Sequence, residues 1–238
     1  MMEPETFNGQ DGHMGLRELK KTQTRQLIAD TAWRLFADRG FDRVTVAEVA
    51  REAQVAEATV FNYFQTKEDL FYFRLEAFGT RLIDAIRARP DKEPALAAFR
   101  RHLLASQGQL TKAAAGEPEA LERLRSVNRV IAASPALRAR EQKALARYAD
   151  SLAALLAAET GAPADDVQAR VAANAMMGIH RALIDYVRHR VLAGEGLDRL
   201  ASDVNGLAER AFALLGNGLA SYARKTPPEP CRAGAKPS

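Results

Sequence analysis

The side chains best suited to bind another molecule lie between Thr45 and Lys67. Asn62 carries an amide that can donate and accept hydrogen bonds at the edge of an adenine base. Thr59 and Tyr63 offer hydroxyl groups, and Lys67 offers a positive charge that can bind phosphate. These residue types at this spacing indicate contact with a nucleic acid.

Residues that could perform catalysis or bind a metal are poorly placed for either role. The lone cysteine, Cys231, lies in a proline-rich tail, and the sequence has no glycine-rich phosphate loop. The four histidines lack metal-ligand spacing. We therefore expect no enzyme activity, no cofactor and no metal site. The histidines are His13, His102, His180 and His189.

Two short helices joined by a tight turn would position the candidate binding residues. Thr45 and Glu48 have the pattern of a capping box, so a helix is expected over Val46–Ala53. After a break at Gln54, a second short helix is expected over Ala56–Phe64. This arrangement is typical of a helix-turn-helix, whose second helix enters the major groove of DNA.

The whole chain is predicted to be all-α, since no segment alternates apolar and polar residues as a strand does. We expect a three-helix helix-turn-helix domain over residues 16–66 and a second helical domain over 67–225, whose effector-binding and dimerisation roles are implied by the family resemblance that follows. Disordered segments are expected at 1–15 and 226–238. About nine helices are predicted: Thr22–Arg39, Val46–Ala53, Ala56–Phe64, Thr66–Arg89, Glu93–Ala113, Pro118–Ala133, Pro135–Glu159, Ala164–Ala193 and Leu197–Lys225.

The segment from Thr22 to Ala77 resembles the TetR family of bacterial transcriptional regulators. The resemblance is carried by the run Ala32-Trp33-Arg34-Leu35-Phe36-Ala37-Asp38-Arg39-Gly40-Phe41 and by the run from Thr45 to Leu70. It implies an all-helical homodimer that represses transcription by binding operator DNA and leaves the DNA when a small-molecule effector binds. With Arg25 from a basic segment, the candidate DNA-binding residues are Arg25, Thr45, Ala56, Glu57, Thr59, Phe61, Asn62, Tyr63 and Lys67.

Three positions in the run from Thr45 to Leu70 depart from the family pattern. Gln54 stands where glycine is usual, so a positive φ there would be strained. Ala56 lacks the usual capping hydroxyl of the recognition helix, and Phe61 lacks the hydroxyl of a frequent tyrosine. Glu57 has two open interpretations: it complements the helix dipole, or it accepts a hydrogen bond from cytosine.

Basic residues around the start of the first predicted helix have two interpretations as well. Lys20, Lys21 and Arg25 form a mobile arm that reaches DNA, or they are a solvated run of charge. The net charge of +4 is too small to decide the partner.

The last two predicted helices carry apolar stripes that we interpret as a dimer interface, with Gly178, Gly216 and Gly218 allowing close approach. A twofold dimer would present two recognition helices to two half-sites. The same stripes would also fit a monomer's core. The stripe residues are Val167, Val171, Ala175, Ile179, Ala182, Tyr186, Val191, Leu200, Val204, Leu207, Ala211, Leu214 and Gly218.

The remaining helices are expected to enclose an effector cavity. The stretch from Ile131 to Arg140 resembles a TetR subgroup with acyl or acyl-CoA-like ligands, although the effector's identity is left open. Polar residues within apolar stretches are the candidate cavity residues, each of which also fits a surface or satisfied core position: His102, Asn128, Arg129, Tyr148, Asn174 and His180.

No signal peptide and no apolar run of the ~20 residues needed to cross a bilayer is visible, so we expect a cytoplasmic protein without a membrane partner. Two alternatives to a ligand-released repressor remain open. The chain could be a DNA-binding activator, or a regulator that responds to no ligand.

Overall fold

In the computed structural model, every regular element among residues 11–73 and 77–218, which the structure describes, is a helix. The all-α prediction is confirmed. The eleven helical segments in this part of the chain are α1 (Asp11–Arg39), α2 (Val46–Glu52), α3 (Glu57–Tyr63), α4 (Lys67–Tyr72), α5 (Ala77–Arg87), α6 (Ala95–Ala105), α7 (Gly108–Ala114), α8 (Pro118–Ala133), α9 (Pro135–Thr160), α10 (Val167–Ala193) and α11 (Leu200–Gly216).

Most helix ends follow the residues that predict them. Ser134 caps α9 by accepting a hydrogen bond from the Leu137 amide, and Pro135 is the first helical residue. Gly161 and Gly194 end α9 and α10 in the left-handed conformation that glycine adopts without strain. Asp166 caps α10 through the Ala169 amide, 2.7 Å away.

The structure corrects two predicted helices and leaves the continuity of a third untested. α1 begins at Asp11 rather than Thr22, so residues 11–15 are helical, where disorder was expected. The helix predicted over Glu93–Ala113 is two helices, α6 and α7. Ser106 ends α6, and its hydroxyl donates to the Leu103 carbonyl at 2.7 Å, an alternative to the helical ladder that serine often provides. The helix predicted over Thr66–Arg89 is seen as α4 and α5, and residues 74–76 lie outside the described part.

Residues 1–10 and 219–238 also lie outside the described part, so the disorder expected at 1–10 and 226–238 stays a prediction. Within the described residues, no helix is both long and apolar enough to span a membrane.

Two buried apolar clusters organise the described helices. One lies among α1–α4, which we call the headpiece, and the other lies among α5–α11, which we call the body. The headpiece cluster also takes in Val130 and Ile131 from α8 and the fully buried Leu137 from α9. α9 therefore contributes to both cores, because its start packs under the headpiece while the rest of the helix packs in the body.

Candidate DNA-binding surface and ligand cavity

Helix α2 begins with the capping box that the sequence predicts. The Thr45 hydroxyl accepts a hydrogen bond from the Glu48 amide at 3.2 Å, and the Glu48 carboxylate accepts one from the Thr45 amide at 2.8 Å. The Thr45 hydroxyl also donates to this carboxylate, at 2.9 Å. The hydrogen bonds that the carboxylate accepts from the Thr45 amide and hydroxyl lower the pKa of Glu48. Val49 and Ala50 are buried, so α2 is held against the headpiece core while Thr45 stays exposed.

The turn between α2 and α3 has the geometry anticipated for Gln54. Its φ is +56°, in the left-handed region that is costly for a residue with a side chain. The next amide, of Val55, donates to the Ala50 carbonyl at 3.0 Å and closes the turn. This turn fixes the angle at which α3 leaves α2.

Helix α3 buries one side and exposes the other. Val60 and Phe64 are buried and anchor the helix, while Thr59 and Tyr63 are half-buried on its flanks. Ala56 is the N-cap and offers no side-chain hydrogen bond, which agrees with the missing hydroxyl. The side chains exposed on its outer side are those of Ala56, Glu57, Ala58, Phe61 and Asn62.

Lys67 lies at the first position of α4, whose N-cap Thr66 shares a second capping box with Asp69. Its ammonium group lies 4.3 Å from the centre of the Phe41 ring. Partial burial lowers the pKa of Lys67, and the carboxylate of Asp42 opposes that shift. The charge is therefore held at a fixed place beside α3, where a phosphate of the DNA backbone could meet it.

The basic residues before the predicted first helix are part of α1 and do not form a separate arm. Lys20 and Lys21 are exposed on this helix. The Arg25 guanidinium lies 4.6 Å from the centre of the Phe73 ring and 5.4 Å from that of Phe64. Because Phe64 is the C-cap of α3, Arg25 packs against the end of α3. These basic residues are therefore helical and not an extended arm, and their contact with DNA stays a prediction.

A cavity of about 370 Å³ opens in the body, and residues of all helices from α4 to α11 line it. Its wall is mostly aliphatic, from residues such as Leu103, Leu124, Leu145 and Leu183. An apolar cavity of this size with a few polar groups is what a small-molecule site usually offers.

The structure places three of the six candidate cavity residues in the wall: Asn128, Tyr148 and His180. His102 is not in the wall, but it lies behind a wall residue: its ring centre is 5.6 Å from that of Phe78, which lines the cavity. Arg129 and Asn174 are exposed and outside the wall, so these two expectations are corrected. Both lie on helices that line the cavity elsewhere, and periodicity alone did not separate the two faces.

Two histidines border the same aromatic ring. The His180 ring stacks on Phe78 with centres 4.4 Å apart. Burial, aided by nearby His102, lowers the pKa of His180 to about 4, and burial also lowers that of His102. Both imidazoles are therefore neutral at pH 7, and neither adds charge to the cavity.

Sequence reasoning missed an ion pair in the cavity wall. Arg188 of α10 lies 2.7 Å from the carboxylate of Glu141 of α9, and only 14% and 17% of these side chains are exposed. Tyr72 lines the same cavity, and its hydroxyl donates to the Leu137 carbonyl at 2.9 Å. The sequence does show one charged residue on the apolar side of α9 and one on that of α10, which could have indicated buried charges. A single sequence does not show that Glu141 and Arg188 form a pair.

The stripes predicted for dimerisation divide between core and surface. Ile179, Val191, Leu200 and Val204 are buried within the protomer, so they belong to its own core. By contrast, Val167 and Val171 are 71% and 62% exposed. The stripe members that remain exposed, together with the exposed glycines proposed beside them, are Val167, Val171, Gly178, Ala182, Gly216 and Gly218.

Two family models match the chain. Residues 28–72 match the model described as bacterial regulatory proteins, tetR family, and residues 93–220, more than half of the chain, match that of the MftR C-terminal domain. The chain belongs to the TetR family. The family resemblance noted from the sequence is therefore confirmed, and members of this family are DNA-binding transcriptional regulators.

Three curated relatives of this TetR-family chain carry the name of transcriptional regulators. TcmR of Streptomyces glaucescens is 27% identical over 154 residues, which cover 64% of this chain and 67% of TcmR. MftR of Mycobacterium tuberculosis is 29% identical over 167 residues, 67% of this chain and 77% of MftR. LuxR of Vibrio harveyi is 46% identical over 52 residues, but these cover only 22% of this chain and a quarter of LuxR.

Solved structures of TetR-type regulators share the fold of this TetR-family chain. NalD of Pseudomonas aeruginosa, a repressor of a multidrug efflux pump, superposes with a TM-score of 0.54 at 18% identity, covering 81% of this chain and 96% of NalD. The SmeT–triclosan complex superposes with a TM-score of 0.51 at 17% identity, covering 79% and 91%. At these identities the likeness concerns the fold.

Proposed function

We propose that this chain is a homodimeric repressor that binds operator DNA through α3 and leaves the DNA when a small molecule fills the body cavity. The observation that supports it most is the exposed outer face of α3, anchored from below by Val60 and Phe64 and followed directly by Lys67. A helix held in this way fits the major groove, where base edges can be distinguished.

In this proposal Asn62 reads a base, most simply adenine through its amide, while Thr45, Tyr63 and Lys67 bind phosphates. Glu57 is exposed in the first turn of α3, a position compatible with both the dipole and the cytosine interpretations. Phe61 is 49% exposed and offers an apolar surface to a thymine methyl group.

Dimerisation would bring two recognition helices to half-sites about one helical turn apart, ~34–36 Å. The exposed stripe of α10 is the surface we propose for it, since Val167 and Val171 are large apolar side chains left in water. Gly178 has no side chain on this face, and among the described residues no atom lies within 4 Å of where a Cβ would be.

The effector is proposed to occupy the cavity beside Phe78, His180 and Tyr148. An acyl or acyl-CoA-like molecule is one proposal, which rests on the sequence resemblance and on the aliphatic wall. We further propose that the protein acts in the cytoplasm and has no catalytic role. An activator or a ligand-independent regulator would share α3 but would not release DNA when the cavity fills.

A gel shift of the purified protein on the DNA upstream of its own gene tests the proposal. We expect a complex with that DNA at concentrations that leave unrelated duplex free, and steep weakening of the complex as salt rises. Candidate small molecules are then added to the complex, and an effector should increase the fraction of free DNA. Equal binding to every duplex would contradict a sequence-specific repressor.

A further inference from the structure

The first two turns of α9 connect the cavity to the headpiece by polar contacts as well as apolar ones. The Ser134 hydroxyl donates to Asp42 of the headpiece at 2.9 Å. One turn later, the Leu137 carbonyl accepts from the Tyr72 hydroxyl, which belongs to α4 and also lines the cavity. This part of α9 is therefore attached to the headpiece at Ser134 and again at the fully buried Leu137.

Arg140 extends this connection to the start of α4. Its guanidinium lies 3.0 Å from the Asp69 carboxylate, with both side chains largely buried. The same carboxylate accepts the Thr66 amide at 3.1 Å and so completes the cap of α4, whose first residue is Lys67. A movement of Arg140 would thus disturb the residue that caps the proposed phosphate-binding helix end.

The neighbouring residue, Glu141, points into the cavity wall instead. Successive residues of a helix differ in direction by about 100°, which lets Arg140 contact the headpiece while Glu141 pairs with Arg188. The Nε atom of Arg188 is buried and has no hydrogen-bond partner among the described residues. Arg188 therefore retains one unused donor on a group that already lines the cavity.

A second, smaller cavity of about 120 Å³ lies on the other side of this ion pair and shares Glu141 and Arg188 with the first. Two exposed arginines, Arg138 and Arg181, line it and make no ion pair within the described part of the chain. Asp185 also lines this second cavity and lies 3.7 Å from Arg188, so three arginines face the carboxylates of Glu141 and Asp185 there. The Glu141–Arg188 pair thus separates an aliphatic chamber from a chamber whose lining has more arginines than carboxylates. A molecule that fills both would have an apolar body and an anionic end.

We infer that the effector is an amphipathic anion whose charged group takes Arg188 from Glu141, and that α9 transmits this exchange through Arg140 to Asp69 and the start of α4. This inference rests on the proposed function and specifies its ligand class and its transmission path. A buried carboxylate that loses its cationic partner is strongly destabilised, so Glu141 and its turn of α9 must move. Because Arg140 is the adjacent residue, the Arg140–Asp69 contact moves with it.

The single tryptophan gives a reporter that needs no DNA. Trp33 packs on Phe71 with ring centres 5.1 Å apart, and Phe71 precedes Tyr72 in α4. A change in α4 should alter Trp33 emission, although Trp33 is not in the wall of either cavity.

The experiment uses two matched probes, 4-butylbenzoate and its uncharged counterpart 4-butylbenzyl alcohol. Calorimetry measures the affinity of each probe for the full-length protein. Trp33 fluorescence, excited selectively at the long-wavelength edge of the absorption band, measures the response of α4. We expect the benzoate to bind about tenfold more tightly or better, because its carboxylate gains charge-assisted hydrogen bonds from Arg188, and only the benzoate to change the emission. Arg188→Gln should abolish the preference.

Variants of the path separate binding from transmission. Glu141→Gln should shift the emission of the free protein towards that of the benzoate complex. Arg140→Met should retain benzoate binding while losing most of the emission change, and Asp69→Asn, which keeps an oxygen for the cap, should do the same. Lys143→Met, at an exposed position of α9 outside both cavities, is the matched control and should behave like the unaltered protein.

Equal affinity for the two probes, or binding of neither, would overturn the ligand class. An unchanged emission response in both Arg140→Met and Asp69→Asn would overturn the path. Neither result depends on operator binding. A protein that fails the gel shift could still show both results, so failure of the repressor proposal and failure of this inference are distinguishable.

Discussion

Gly79 of α5 lies so close to Tyr148 of α9 that a Cβ at residue 79 would overlap the tyrosine ring. Tyr148 lines the cavity, and Gly79 itself is buried. The absence of a side chain at residue 79 therefore decides where the Tyr148 ring lies and how wide the cavity is.

Replacing Gly79 with alanine should push the Tyr148 ring towards the cavity. Overpacking costs ~1–3 kcal/mol, and the higher helix propensity of alanine offsets ~1 kcal/mol of that. We expect the free energy of unfolding in urea to fall by about 1 kcal/mol and the affinity for cavity-binding probes to fall with it. Gly108→Ala, in α7 with open space around the added carbon, is the control and should not destabilise the protein.

The buried His180 should make stability depend on pH. Burial lowers its pKa from the ordinary 6.5 to about 4, so the unfolded chain binds the proton more readily than the folded protein. The free energy of unfolding should therefore fall as pH drops from 6.5 towards 4, by roughly 3 kcal/mol at most. Urea unfolding at several pH values measures this slope.

His180→Asn should flatten most of the slope, leaving the smaller part that His102 contributes in the same direction. A slope that survives His180→Asn in full would show that other groups cause it.

Restoring a capping hydroxyl to α3 should stabilise the headpiece. Ala56 has the extended backbone of an N-cap, with φ −69° and ψ 148°, but makes no side-chain hydrogen bond. Ala56→Ser should raise the free energy of unfolding by ~1 kcal/mol, because serine can accept from an amide in the first turn. Ala58→Ser, inside the same exposed helix, cannot cap it; a similar gain there would argue against capping.

Asn62 and Lys67 should affect DNA binding in different ways. Asn62→Ala should cost ~1–3 kcal/mol on the operator and relax the preference for one base pair, with little effect on unrelated duplex. Lys67→Ala should weaken binding to all duplexes and reduce the slope of log affinity against log salt by about 1. Fluorescence anisotropy on operator, single-base variants and random duplex distinguishes these outcomes. Lys143→Ala, which removes a positive charge at an exposed position of α9, serves as the charge control.

The exposed stripe of α10 can be tested through the oligomeric state. Val171→Glu places a charge in the proposed dimer interface, and sedimentation should then show monomer and DNA affinity should drop. Leu27→Glu alters a similarly exposed leucine of α1 and should leave the sedimentation of the protein unchanged. A Val171→Glu protein that sediments like the unaltered one would place the interface elsewhere.

Local sequence signals determined most of the headpiece. The Thr45–Glu48 capping box, the strained Gln54 turn and the uncapped Ala56 each depend on residues only a few positions apart, so the sequence contains the whole interaction. The run from Thr45 to Leu70 likewise indicated the family, because the spacing of these local devices is itself the signature.

Only the tertiary structure decided the cavity and its connection to the headpiece. Glu141 and Arg188 are 47 positions apart, and Asp69 and Arg140 are 71 apart, so which charge meets which depends on how α9 packs against α4 and α10. Periodicity names the apolar side of a helix but does not say what covers it, which is why Ile179 and Val204, expected at an interface, proved to be core. Packing free energy is set by the neighbours that the fold supplies, and a single sequence does not list them.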